Sequence, residues 1–233
     1  MSESLENILI KIDDNLELYA KYLDELRSNI NQINSVDKIY EKLNLEFKLE
    51  DFSEIESLIN FTGYLTISIL DLLVICKNII LAKYHWEKIH QLKQGYLVIY
   101  ESIQSYHKHR LEDVAEKNTE SKELYQYISK TLKAFKKDYN FPKAFTEIRN
   151  ATIAHIDTNF AIYYDLVAKI DGDKSFNAIL AFLQIIYKMQ ELSKYLSESL
   201  TLAQEETNFK IDNLVKDISQ KIENKLQEIR NRR

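Results

Sequence analysis

Residues 55–84, IESLINFTGYLTISILDLLVICKNIILAKY, decide the fold class. The run is too hydrophobic all round for a surface helix, and a globular protein places such a helix at its centre. Ser53 and Glu56, just ahead, have the S-x-x-E spacing of a capping box and mark its start. Gly63 is expected to interrupt or bend it. Glu56, Asp71 and Lys77 lie within the stretch and argue against a bilayer span, since buried charges in lipid are expensive. Cys76, the chain's one cysteine, reads as a small core residue; it excludes an intramolecular disulfide framework and fits a reducing compartment.

Composition extends this reading to the whole chain. Only 3 Gly and 1 Pro occur in 233 residues, which leaves few turn residues for hairpins and sheets. Long helices joined by short polar loops follow, hence an all-α class. With 45% hydrophobic and 29% charged residues the composition is that of a folded domain, neither disordered nor membranous. The acidic N-terminal stretch MSESLENILIKIDD has no basic start and no continuous apolar region, so no signal peptide is expected and a cytoplasmic location is.

Upstream, Leu5, Leu9, Ile12, Leu16, Tyr19, Leu23, Leu26, Ile30 and Ile33 alternate in steps of four and three, a coiled-coil-like seam. A seam this narrow needs a partner helix, from the same chain or a second copy. A polar connector covers residues 38–51. Downstream, the helical pattern continues from Trp86, with a break expected near Gln94 and Gly95. Asn118 or Thr119 caps a helix running to about Asp138. The stretch YNFPKAF, residues 139–145, is the clearest boundary, because Pro142 suits the first turn of a new helix. Gly172 then provides a turn and Ser175 begins another helix. Near the end, Ile211, Leu214, Ile218, Ile222, Leu226 and Ile229 share one side of an amphipathic segment. The expected organisation is an N-terminal amphipathic arm over 1–50, a helical bundle over 51–203 and a C-terminal amphipathic helix over 204–233.

Net charge is −5 and the pI about 5.7, which disfavours a general nucleic-acid coat and leaves room for a local basic patch. Lys130, Lys133 and Lys137 form such a stripe, three and four apart, with Lys136 and Lys143 nearby. A solvated face is the default for it; guidance of an RNA backbone is the sharper reading.

The stripe leads into KAFTEIRNATIAHIDTNF, residues 143–160, where Arg149, Asn150 and His155 make R-N-x4-H. Arginine supplies a permanent charge and a donor fork matched to phosphate oxygens. Histidine exchanges a proton near neutral pH. Cleavage of RNA by its own 2′-hydroxyl needs both, and needs no metal or cofactor. Six helical positions leave Arg149 and His155 roughly 120° apart around the axis and ~9 Å along it, so a complete site forms more naturally where a second copy packs nearby. Without further context, Arg149 pairing with Glu147 or Asp157 beside a half-buried helix histidine explains the same residues.

The stretch EIRNATIAHID resembles the R-x(4–6)-H signature of HEPN domains, in the form with a polar residue directly after the arginine. The all-α composition and the apolar helix well upstream are similar too. The resemblance covers about residues 55–200. It implies a helical bundle that dimerises and a metal-independent endoribonuclease of a toxin–antitoxin, abortive-infection or antiviral defence system. Arg149 and His155 would be catalytic, Asn150 would orient them, RNA would be the substrate, and an antitoxin or other defence protein would be the partner. Some HEPN toxins carry a tyrosine two positions beyond the histidine, where a partner enzyme modifies them; this chain has Asp157 there and departs from that mode. The rival expectation is a non-enzymatic helical assembly protein with a degenerate HEPN domain.

Other candidates carry less. His107 and His109 lie two apart, on different helix faces, and His85 and His90 lie five apart; neither spacing suits a metal. A solvated helix end, or a second RNA-contacting patch, accounts for His107 and His109. Trp86 reads as a packing anchor. Tyr100, Tyr106, Tyr163 and Tyr164 are candidates to line the site.

Overall fold

The computed structural model describes residues 4–42, 53–108, 115–116, 119–141, 143, 145 and 160–197. Within them every regular element is a helix: α1 Leu5–Lys42, α2 Ser53–Leu81, α3 His85–Lys108, α4 Thr119–Asp138, α5 Phe160–Ala168 and α6 over residues 172–197. The all-α class is therefore correct, and α2 is the core helix. Phe61, Leu65, Ile69 and Leu72 are spaced four, four and three, and none of them touches solvent. Burying each contributes about 1.5–3 kcal/mol. One side of α2 packs on α1 and the other on α3. By length and composition alone α2 could cross a bilayer, with a mean hydropathy of 1.9 over its most apolar stretch. Of that stretch 44% is buried against the neighbouring helices.

A line of hydroxyls joins α2 to α6. Thr62 and Thr66 each donate to the carbonyl four residues back, at 2.8 Å, which satisfies them inside the helix. The same oxygens meet α6, where Thr62 bonds Ser193 and Gln190 donates to Thr66 at 3.1 Å. In a buried interface such bonds favour one register of the two helices, because a slip would take Ser193 and Gln190 away from these partners.

The expected breaks at Gly63 and at Gln94–Gly95 do not occur. Both helices continue through these positions without interruption. At Gly63 the nearest atom to an added Cβ would be Leu23 of α1 at 3.9 Å, an ordinary contact. Gly95 serves a different purpose, because a Cβ there would lie 2.5 Å from Cδ1 and 2.9 Å from Cγ1 of Ile179. The glycine lets α3 and α6 approach more closely than any side chain would allow. The real break falls at residues 82–84. There the Glu87 carboxylate accepts the N–H groups of Lys83 and Tyr84 at 2.8 and 3.0 Å and starts α3.

The predicted seam of α1 finds its partner within the chain. Ile12 and Leu26 are buried, and Tyr19 stacks on Tyr187 of α6 with centroids 5.9 Å apart. Asp13 and Lys77 pair across α1 and α2 at 2.5 Å. Helix α6 begins at Gly172 rather than Ser175. Asp171 is its cap: the side chain accepts the Lys174 N–H at 3.0 Å and its carbonyl accepts the Ser175 N–H at 2.9 Å. Ser175 lies buried inside the first turn, hydrogen-bonded to the Tyr96 hydroxyl at 2.9 Å. The amphipathic segment read over 204–233 lies outside the described residues.

Candidate nucleic-acid interface

Helix α4 is amphipathic. Ile128, Leu132 and Phe135 face the core, where Phe135 meets Phe182 of α6 at 5.5 Å. The opposite face holds Lys130, Lys133 and Lys137, all exposed as the periodicity predicts. Among the described residues, Lys21, Lys77, Lys122 and Lys188 have carboxylate partners. Lys130, Lys133 and Lys137 have none. The C-terminal half of α4 tolerates this charge because cations there oppose the negative end of the helix dipole. The stripe is thus a set of unneutralised ammonium groups on a rigid helix, the property a polyanion reads.

The fourth lysine of that half turns inward. Lys136 is half-buried; its Nζ lies 2.8 Å from Nε2 of His107 on α3 and 5.6 Å from the centre of the Phe141 ring. An ammonium only donates, so His107 accepts at Nε2 and carries its proton on Nδ1. Burial first, and the neighbouring Lys136 second, push the His107 pKa below its ordinary value of 6.5. Burial likewise lowers Lys136. His107 is exposed in the last turn of α3, as the reading of a solvated helix end expects, and is also half of a contact between two helices. His109 and Arg110 lie outside the described residues.

The chain then turns on a Schellman cap. Asn140 is left-handed, with φ 55°, and its N–H donates to the Lys137 carbonyl at 3.3 Å. The Phe141 N–H reaches back to the Lys136 carbonyl at 2.8 Å. The Lys136–Phe141 cation–π contact takes the place of the usual apolar contact across this cap. Beyond it Lys143 is exposed. Phe145 is fully buried, edge-on to Tyr96 of α3 at 4.3 Å and against Phe141 at 5.2 Å.

Arg149, Asn150 and His155 lie outside the described residues. What is described is where the chain stands on either side of them. Before the motif, Phe145 packs on Tyr96. After it, Tyr163 of α5 accepts a hydrogen bond from Lys93 at 2.8 Å. Lys93 and Tyr96 are neighbours on α3, so Phe145 and Tyr163 both pack on one patch of that helix. Nothing in the sequence signalled Lys93. It reads as a surface lysine, yet it is 8% exposed, with its ammonium 5.3 Å from the centre of the Tyr163 ring. The other candidate tyrosines scatter: Tyr100 meets Phe141, Tyr106 is buried against Phe61, and Tyr164 is exposed.

A second feature flanks the stripe. Between α4 and α6 lies an open groove of about 220 Å³ whose walls include Tyr127, Ala134, Asp138, Tyr139 and Gln184. Comparison with protein-family models, with curated proteins and with solved structures finds no match to this chain.

Proposed function

We propose that the chain is a HEPN-type, metal-independent endoribonuclease, acting as a homodimer in the cytoplasm within a prokaryotic toxin–antitoxin or antiphage defence system. One observation supports this reading most. The helix that leads into R-N-x4-H presents Lys130, Lys133 and Lys137, exposed and without a carboxylate partner among the described residues, as a cationic face on an acidic protein. An RNA backbone drawn to that face is delivered near the motif in sequence. Lys143, exposed just past the cap, extends the same track.

In the proposed reaction the 2′-oxygen attacks the adjacent phosphorus as the bond to the 5′-oxygen breaks. The products are a 2′,3′-cyclic phosphate and a 5′-hydroxyl. His155 moves the proton, Arg149 neutralises the phosphorane oxygens, and Asn150 orients one of the two. The test is cleavage of single-stranded RNA in EDTA by the wild type, His155→Ala and Arg149→Ala. Loss of activity in both variants is expected; equal activity in all three would remove the site assignment.

A second reading, a non-enzymatic assembly protein, has its own observation. Ile67, Val74 and Leu81 are seven apart on α2 and are 45%, 43% and 52% exposed, an apolar line on the outside of the core helix. A protein without nuclease activity whose self-association is lost on Val74→Glu would favour that reading.

A further inference from the structure

The groove between α4 and α6 differs from the other surfaces in what it offers a ligand. Tyr127, at its rim, is 56% exposed, and Tyr139 forms another part of the wall. Gln184 and Asp138 contribute an amide and a carboxylate that are engaged with no partner among the described residues. The lysine stripe runs along the groove's edge. Lys130 is three residues beyond Tyr127, and Lys130 and Lys137 lie four before and three after Ala134, so both border the wall on the helix surface. Lys188, on the α6 side, is held by Glu191 at 2.5 Å and adds little net charge.

These facts separate two kinds of ligand atom. The Asp138 carboxylate repels a phosphate from the groove itself, while the lysines attract one to its edge. A volume of about 220 Å³ is below that of a typical drug-sized pocket and suits one planar ring system. A flat group with an amino donor, joined to a phosphate that stays outside, satisfies every wall at once. We infer that the groove is a base subsite, taking one unpaired nucleobase of single-stranded RNA against Tyr127 with its flanking phosphates on Lys130 and Lys137. Asp138 accepts from an exocyclic amine, which favours cytosine, adenine or guanine over uracil. This inference rests on the RNA reading above and adds to it a place where the chain selects bases.

The experiment measures binding of short labelled RNAs by fluorescence anisotropy, using the full chain with His155→Ala so that the RNA stays intact. The probes are single-stranded oligo-C, oligo-U and an abasic backbone of equal length. Tyr127→Ala is expected to weaken oligo-C binding by about 5- to 150-fold, the value of one lost stacking contact. It should leave the abasic backbone unaffected, and Tyr127→Phe should bind like the parent. Asp138→Asn should narrow the preference for oligo-C over oligo-U. The exposed position of Tyr127 spares the core, and an unchanged thermal melt checks this. Binding that is lost with Lys130→Gln and Lys137→Gln but indifferent to Tyr127→Ala would overturn the base subsite and leave the RNA reading standing. Absence of RNA binding by the parent protein would overturn both.

Discussion

Gly95→Ala isolates the contact that sets the distance between α3 and α6. In an exposed helix interior the change stabilises by about 1 kcal/mol, because alanine loses less backbone entropy than glycine. Here the new Cβ would lie 2.5 Å from Ile179 Cδ1 and 2.9 Å from Cγ1, with Ile75 Cγ2 next at 3.7 Å. Rotating the Ile179 terminus relieves only the first contact. The second requires a new χ1 in a side chain that is 1% exposed, or a shift of one helix. Overpacking of this kind typically costs 1–3 kcal/mol, so after the helix benefit of about 1 kcal/mol the net effect runs from about zero to a loss of about 2 kcal/mol. Ile179→Ala alone should cost about 2–5 kcal/mol through the cavity it leaves. In that background Gly95→Ala meets nothing and regains its helix benefit of about 1 kcal/mol. The double-mutant cycle therefore carries a coupling of about 1–3 kcal/mol in favour of the pair. Urea unfolding followed by circular dichroism measures it as a change in midpoint at constant slope. If Gly95→Ala alone stabilises the protein by the full helix benefit, the close crossing does not exist.

Other predictions rest on single features. Burial pushes the Cys76 thiol up to about 11, so it should resist alkylation at pH 8 in the native protein and react at once in urea. The folded-state pKa of His107 is lowered by burial and by Lys136, so its contribution is complete above its ordinary pKa of 6.5 and is lost as pH falls through the lowered folded value. Lys136→Met should move its titration, read by NMR, part of the way back toward 6.5, the remainder being burial; no movement would refute the contact. Replacing Lys130, Lys133 and Lys137 together with Gln should reduce the slope of log affinity against log salt by about 2, at ~0.7 per phosphate contact on single-stranded RNA. An unchanged slope would mean that RNA, if bound, lies elsewhere. Asp171→Ala should destabilise by about 0.5–2 kcal/mol through loss of the α6 cap, seen as a lower thermal midpoint.

Much of the fold was legible because its signals are local. The apolar run from Ile55 marked the core helix, Thr119 and Asp138 bounded α4, and the turn before Pro142 followed from its residues. The misplaced helix boundaries share one cause. A glycine in a helical pattern reads as a break, although its penalty of about 1 kcal/mol is easily outweighed by tertiary packing. Asp171 was a legible cap, three residues ahead of Lys174, but the neighbouring glycine drew the boundary toward Ser175.

Sequence alone determined the helical class, the lysine face of α4 and the R-N-x4-H motif with the chemistry its side chains can perform. Those depend on residue type and on a period of 3.6, both properties of a few consecutive residues. Only the tertiary structure joined His107 to Lys136, 29 residues apart, placed Lys93 under Tyr163, 70 apart, and opened the groove between α4 and α6. Such pairs depend on how helices cross and how closely they approach, and that distance was set here by a missing side chain at Gly95. No local pattern encodes it.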